Sequence, residues 1–237
     1  MTRVVVGRVL TALVLAAAIG VALVAAGRIE IPRRFDPFAP LVVDDEVNWL
    51  TRMKLARTAR DGALCVRALQ GASRLSASPI ADQKTGEACG YEDAVRIERA
   101  APGFSPAGPA MTCRLALGWA MFERHALDAA AREIMGSQIA RVEHLGVYAC
   151  RNIYHKAQAR RSEHAGANDI DIAAFVLADG RRVDVKRDWE GEGAAARFLR
   201  SARDGACRYF NVVLGPDYNE AHRDHFHLDM GGYRACR

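Results

Sequence analysis

The sequence predicts an α+β domain, a mostly antiparallel sheet with flanking helices, preceded by an N-terminal membrane segment. Three observations predict it. In "HRDHFHLDM", residues 222–230, His225, His227 and Asp229 alternate with Phe226, Leu228 and Met230. That period of two marks a strand with one polar and one apolar face. "IDIAAFVLADGRRVDVKRDW", residues 170–189, holds two strand-like runs around Asp179-Gly180, a hairpin turn. "CRLALGWAMFERHALDAAAREIMG", residues 113–136, is the strongest helical pattern in the chain and offers an apolar face to a sheet.

The elements follow in order. Residues 9–26, "VLTALVLAAAIGVALVAA", are an uncharged apolar run long enough to cross a bilayer at about 1.5 Å per residue. Its length favours an uncleaved anchor, although "VAAG" at 24–27 also suits signal cleavage. Arg3 and Arg8 place residues 1–8 in the cytoplasm, while Arg28, Arg33 and Arg34 weaken the asymmetry. Residues 27–42, including "RRFDPFAP", read as a linker, and 43–237 as the folded domain. Within it, 44–71 carries apolar residues at helical spacing and predicts one or two helices ending at Gly71. Residues 91–100 predict a strand, the proline-rich 101–111 a turn, and Thr112 a helix cap. The long helix stops at Gly136, and 140–153 reads as strand, turn, strand around Gly146. After the hairpin come a second helix at 191–206 and a strand in "YFNVVLGP" at 209–216. A loop then leads to the histidine strand.

Composition narrows the classes. A hydrophobic fraction of 50% leaves ample core once the membrane run is set aside. The net charge of +5 is spread among acidic residues with no basic run interleaved with aromatics, which argues against a nucleic-acid partner. Six scattered cysteines with no C-x-x-C pair suit structural disulfides in an exported chain. Pairing of neighbours is the simplest scheme: Cys65 with Cys89, Cys113 with Cys150, Cys207 with Cys236. Trp119, with Leu115, Leu117 and Phe122, reads as core, and Trp189 as the cover of a sheet edge. His125, His144 and His155 read as structural or exposed, and His222 as a solvated loop histidine.

Two imidazoles on one strand face call for partners if they hold a metal. "SEHAGANDID", residues 162–171, supplies His164 and Asp171, with a glycine-containing turn between them that lets the two converge. His, Asp and His suit zinc with a fourth position open for water. Ser162 is placed to orient His164 or to start the turn, and Asp229 to buttress an imidazole or stand as a surface carboxylate.

Ser162-x-His164-x(6)-Asp171 followed by His225-x-His227 resembles the motif of the zinc superfamily that contains D-alanyl-D-alanine carboxypeptidases, lysostaphin-type endopeptidases and the hedgehog domain. "SEHAGANDIDIAAF", "VLGPDYNEAHRDHFHLDM" and the spread cysteines more closely resemble the bacterial extensin-like C-terminal domain family, over about residues 60–237. The resemblance implies a zinc site on the sheet with His164, Asp171 and His227 as ligands and His225 managing the proton or the oxyanion. Arg151 resembles an arginine set beside the substrate. Asp224 occupies the position of a catalytic Glu in the carboxypeptidase branch, one methylene shorter and out of phase with His225 on a regular strand. The implied function is a zinc-dependent peptidase, endopeptidase or carboxypeptidase, acting on cell-wall peptidoglycan peptides. The domain would lie in the periplasm, anchored to the inner membrane or released there by cleavage. The alternative is a non-catalytic zinc-containing binding module of the envelope.

Overall fold

The computed structural model describes residues 2–86 and 88–237; Met1 and the side chains of residues 2–4, Arg3 among them, lie outside the description. The chain divides into two compact units, Met1–Ala39 and Pro40–Arg237. The first carries helix α1 (Thr2–Ala25), whose Val5–Ala25 stretch is long and apolar enough to cross a membrane. Val9, Leu13 and Val21 point outward from it.

The second unit starts with α2 (Thr51–Thr58) and α3 (Gly62–Gln70), the pair anticipated to end at Gly71; Asp61 caps α3 by accepting from the Leu64 N–H at 2.9 Å. Strands β1 (Leu75–Pro79), β4 (Ala94–Ala100) and β6 (Ala110–Thr112) make a three-stranded sheet. β2 (Gln83–Lys84) and β3 (Gly90–Tyr91) pair by themselves. The principal sheet has seven strands in the order β12 (Ala235–Cys236), β10 (Val212–Leu214), β11 (Phe226–Asp229), β8 (Asp169–Leu177), β7 (Ile139–Gly146) and β5 (Gly103–Ser105), with β9 (Arg182–Asp184) also on β8. Its pairings are antiparallel except β12 with β10 and β5 with β7. The domain is therefore α+β, with antiparallel pairing dominant.

Helices cover one face of this sheet. α4 (Cys113–Phe122), capped by Thr112, continues through π-type turns at Glu123–Leu127 and Ala131–Met135 around a short α5 (Asp128–Ala130). It ends at Gly136, whose φ of 66° is the left-handed stop that glycine tolerates best. Trp119 of α4 packs against Phe104 at 4.8 Å between ring centroids, and Phe198 of α7 (Ala194–Ala206) against Phe175 at 5.3 Å. Ile170, Ile172, Phe226 and Leu228 are the apolar sides of β8 and β11 and are buried beneath these helices. Trp189 follows α6 (Val185–Asp188), is buried against Phe226, and donates its Nε1–H to Asp217 at 2.8 Å. The period-two reading of the histidine strand thus holds: apolar residues go under the helices and polar ones to the open face.

Three expectations are corrected. The proline-rich 101–111 segment contains β5 and the start of β6, because its backbone finds partners in β7 and β4 rather than closing a turn. No second strand follows Gly146: residues 147–152 form a loop whose backbone groups bond across to the 162–164 turn, through Ala149 N–H to His164 O and Ser162 N–H to Arg151 O. The disulfides are Cys65–Cys113, Cys89–Cys150 and Cys207–Cys236, so neighbour pairing fails for four of the six. Cys65 lies on α3, which packs on α4, so its spatial neighbour is Cys113 at the start of that helix.

A Cβ built on Gly205 of α7 would sit 2.8 Å from the Ala126 Cβ. Alanine gains about 1 kcal/mol of helix propensity over glycine, but forcing two packed helices apart costs about 1–3 kcal/mol. Gly205→Ala is expected to lower the urea midpoint; an unchanged or higher midpoint would refute this packing account.

Candidate metal centre

The register of two strands assembles the centre. β8 and β11 run antiparallel with His227 opposite Asp171 and Asp229 opposite Asp169. Residues directly opposite share a face, so these four side chains project together. His164 arrives from a 3₁₀ turn, Glu163–Gly166, which Ser162 opens by accepting from the His164 N–H at 3.4 Å. Ala167, at φ 50°, reverses the chain into β8. Ser162 is accordingly a turn initiator. The turn lets His164 and Asp171 converge: His164 Nε2 lies 2.8 Å from Asp171 Oδ2, and His227 Nδ1 lies 3.0 Å from Asp171 Oδ1. One donor atom from each of the three residues lies within 4.8 Å of the other two.

Hydrogen-bond accounting gives this trio its chemistry. His164 Nδ1 faces the Val147 carbonyl oxygen at 2.8 Å and Asp169 Oδ1, both acceptors, so Nδ1 carries the proton and donates it. Nε2 then bears a lone pair, is buried and lacks a hydrogen-bond partner, yet it faces Asp171, another acceptor. His227 stands between carboxylates on both sides, with Nδ1 3.0 Å from Asp171 Oδ1 and Nε2 3.1 Å from Asp229 Oδ2 and 3.7 Å from Asp169 Oδ2, so a neutral ring, with one proton, always leaves one nitrogen facing an acceptor. Three acceptors converging out of water require a cation between them, either a proton or a metal. The residues fit zinc well: two imidazoles fixed by their far nitrogens, one carboxylate and an open side.

The same geometry moves the proton equilibria. Burial alone pulls both imidazoles down, but carboxylates outweigh it: Asp169 and Asp171 raise His164 to about 9, and Asp171 and Asp229 raise His227 to about 10. Burial pushes Asp169 up to about 6. Asp171 resists burial because both imidazoles hold its charge, and it stays well below the usual carboxylate range.

His225 and Asp224 precede β11, so strand phase does not govern them. Asp224 Oδ1 lies 2.9 Å from His225 Nδ1, and His225 Nε2 turns inward to 3.6 Å from Asp171 Oδ1. Asp224 is thus engaged with His225 and is not itself aimed at the trio. His222 corrects the expectation of a solvated loop histidine: it is buried, with Nδ1 2.8 Å from Asn219 Oδ1 and its ring 5.3 Å from that of His225. Burial and the neighbouring His227 and His225 lower it to about 4. His125 and His144 are tied to the carbonyls of Val43 and Pro106, as structural histidines are. Asp229 is a buttress rather than a surface group, holding His227 and accepting from the Gly231 N–H at 2.7 Å.

Asp171 and His227 floor an open cleft of about 580 Å³, with His222 and His225 beside them and His164 buried beneath. Arg151 lines it as anticipated, joined by Arg160, Arg161 and Arg234. Tyr154, Tyr218 and Tyr233 add aromatic wall, and the Arg160 guanidinium sits 4.5 Å above the Tyr233 ring. Sequence reasoning missed Asp169 although it is in strand phase with Asp171, a readable signal. Arg160, Arg234 and Tyr233 have no local signal, since only the fold carries them to the cleft.

A family model described as extensin-like protein C-terminus matches residues 63–237, and the chain belongs to that family. No curated protein and no solved structure matches the chain.

With metal removed, the two imidazoles bind protons more tightly folded than unfolded, where the ordinary value is about 6.5. Their stabilisation is complete below about 6.5 and is lost as pH rises through about 9 and 10. The melting midpoint of chelator-treated protein is therefore expected to fall between pH 7 and 10, since each tenfold gain in proton affinity on folding contributes about 1.4 kcal/mol. A flat profile over that window would contradict the proposed pairing.

Proposed function

We propose that the protein is a zinc-dependent peptidase acting on peptidoglycan peptides at the outer side of the inner membrane. The observation that carries this reading is the convergence of His164 Nε2 and His227 Nδ1 on the two oxygens of Asp171, which lies on the floor of an open, arginine-lined cleft. The likeness of the Ser162-x-His164-x(6)-Asp171 and His225-x-His227 pattern to the zinc peptidase superfamily points the same way. Three disulfides suit an oxidising compartment, and α1 suits an anchor or an export signal.

His164, Asp171 and His227 would hold the zinc, which when bound supplies Lewis acidity towards a peptide carbonyl and lowers the pKa of water. The chain's own residues do the rest. Asp224 accepts the His225 Nδ1–H, leaving Nε2 free to take a proton on the cleft side. This division makes His225 the proton carrier and Asp224 its orienter, the way a carboxylate fixes an imidazole in hydrolytic triads. Arg151 and Arg160 would seat the carboxylates of a stem peptide, and the apolar edges of the tyrosines would exclude water from it.

The test uses full-length chain in detergent, purified from an oxidising compartment and incubated with peptidoglycan, with products identified by mass. About one zinc per chain and stem-peptide fragments are expected, both lost in His227→Ala. His225→Ala should keep the zinc and lower turnover about 10²–10⁴-fold. Zinc without fragments across several wall types would favour the non-catalytic envelope module, and a wild type free of zinc would remove the site assignment.

A further inference from the structure

Asp169 is a buried carboxylate that the proposed chemistry does not use. It is 0% exposed, and neither of its oxygens receives a well-formed hydrogen bond. It stands directly opposite Asp229 across β8 and β11, and like charges so placed repel. The one proton on His164 Nδ1 goes to the Val147 carbonyl oxygen, so Asp169 Oδ1 crowds that nitrogen without satisfying itself. Oδ2 lies 3.7 Å from His227 Nε2. A buried polar group without donors destabilises the folded chain, so a purely structural residue at this position would be better apolar.

The placement accounts for its presence. Asp171 lies before the two imidazoles, at His164 Nε2 and His227 Nδ1. Asp169 lies behind both, at the two nitrogens turned away from Asp171. We infer, building on the metal reading above, that Asp169 is a positioning residue whose single carboxylate backs both ligand imidazoles and strengthens the grip on a divalent cation at the expense of the metal-free fold. A carboxylate behind a ligating histidine raises ligand basicity and fixes the ring, and loss of such a partner typically weakens metal binding about 10–100-fold. Here one side chain serves two rings. Asp229 supports only His227, so among the described residues it is Asp169 that backs both His164 and His227 from the side away from Asp171.

The inference sets two observables moving in opposite directions, which an ordinary structural residue would not do. Zinc affinity of the full-length chain is read by competition with a chromophoric chelator. The melting midpoint is read separately on chelator-treated protein at the same neutral pH. Asp169→Ala removes carboxylate and shape, whereas Asp169→Asn keeps the shape and removes the charge. Both variants are expected to bind zinc about 10–100-fold more weakly while the metal-free forms melt no lower than wild type. Variants that bind within about threefold of wild type, well inside that range, would overturn the inference and leave the metal reading standing. Variants that lose affinity and also melt lower without metal would show a structural role and overturn it as well. A wild type that binds no zinc would overturn the metal reading, and this inference with it.

Discussion

The antiparallel register of β8 against β11 is the constraint on which the rest depends. It sets His227 against Asp171 and Asp229 against Asp169 while turning Ile170, Ile172, Phe226 and Leu228 to the helices. A slip of one residue would exchange the faces, burying imidazoles under α4 and exposing the core. The apolar side therefore protects the polar side: each aromatic seated against Trp189, Phe198 or Phe175 adds to the cost of any pairing that misaligns the histidines. In this sheet, core packing and site geometry are two readings of the same register.

A second constraint comes from outside the sheet. The far nitrogen of His164 is held by the carbonyl of Val147, which belongs to a loop with no strand partner. That loop is tied down three residues later by the Cys89–Cys150 disulfide, and by backbone bonds to the 162–164 turn. A loop free to move would let His164 exchange tautomers and turn its lone pair away from Asp171. The bridge thus contributes to the site through a carbonyl group, beyond its general effect on the unfolded chain.

The legibility of these features in the sequence follows their range. The Thr112 cap, the Gly136 stop, the histidine strand from Phe226 and the β8–β9 hairpin are written in adjacent residues and emerge as anticipated, but the hairpin's second strand ends at Asp184, where α6 begins. The convergence of His164 with Asp171 is also local, because seven residues and one tight turn suffice to specify it. Long-range pairings are not legible in this way. Cys65 meets Cys113 through helix packing, and residues 147–152 forgo a strand because their backbone bonds to residues 161–164 instead. The alternation that begins at His225 puts Asp224 out of phase, but the strand itself starts at Phe226, and the preceding turn aims His225 inward. Four of the cleft's features, Arg160, Arg234, Tyr233 and the seating of His222, depend on where separate loops meet.

The four histidines near the floor of the cleft differ less in sequence context than in what stands behind each ring. His164 is backed by a carbonyl and Asp169, and His227 by Asp229, and both turn their other nitrogen to Asp171, a carboxylate that favours positive charge on the ring. His222 is buried with no carboxylate behind it, only the amide oxygen of Asn219, and burial together with the neighbouring His227 and His225 lowers it to about 4. His225 is backed by Asp224, a carboxylate that is itself part-exposed, while its Nε2 lies 3.6 Å from Asp171 Oδ1 and the ring lines the cleft. Identical side chains are thereby given different environments, which under the proposed function would make His164 and His227 cation holders, His225 a proton carrier and His222 a neutral wall. The wide separation of proton affinity between His222 and the pair His164 and His227 distinguishes a chemical site from a polar surface, because solvated rings would stay near one ordinary value. The sorting requires every backing group to be in place, so the proposed function would depend on the four rings with their partners rather than on His164, Asp171 and His227 alone.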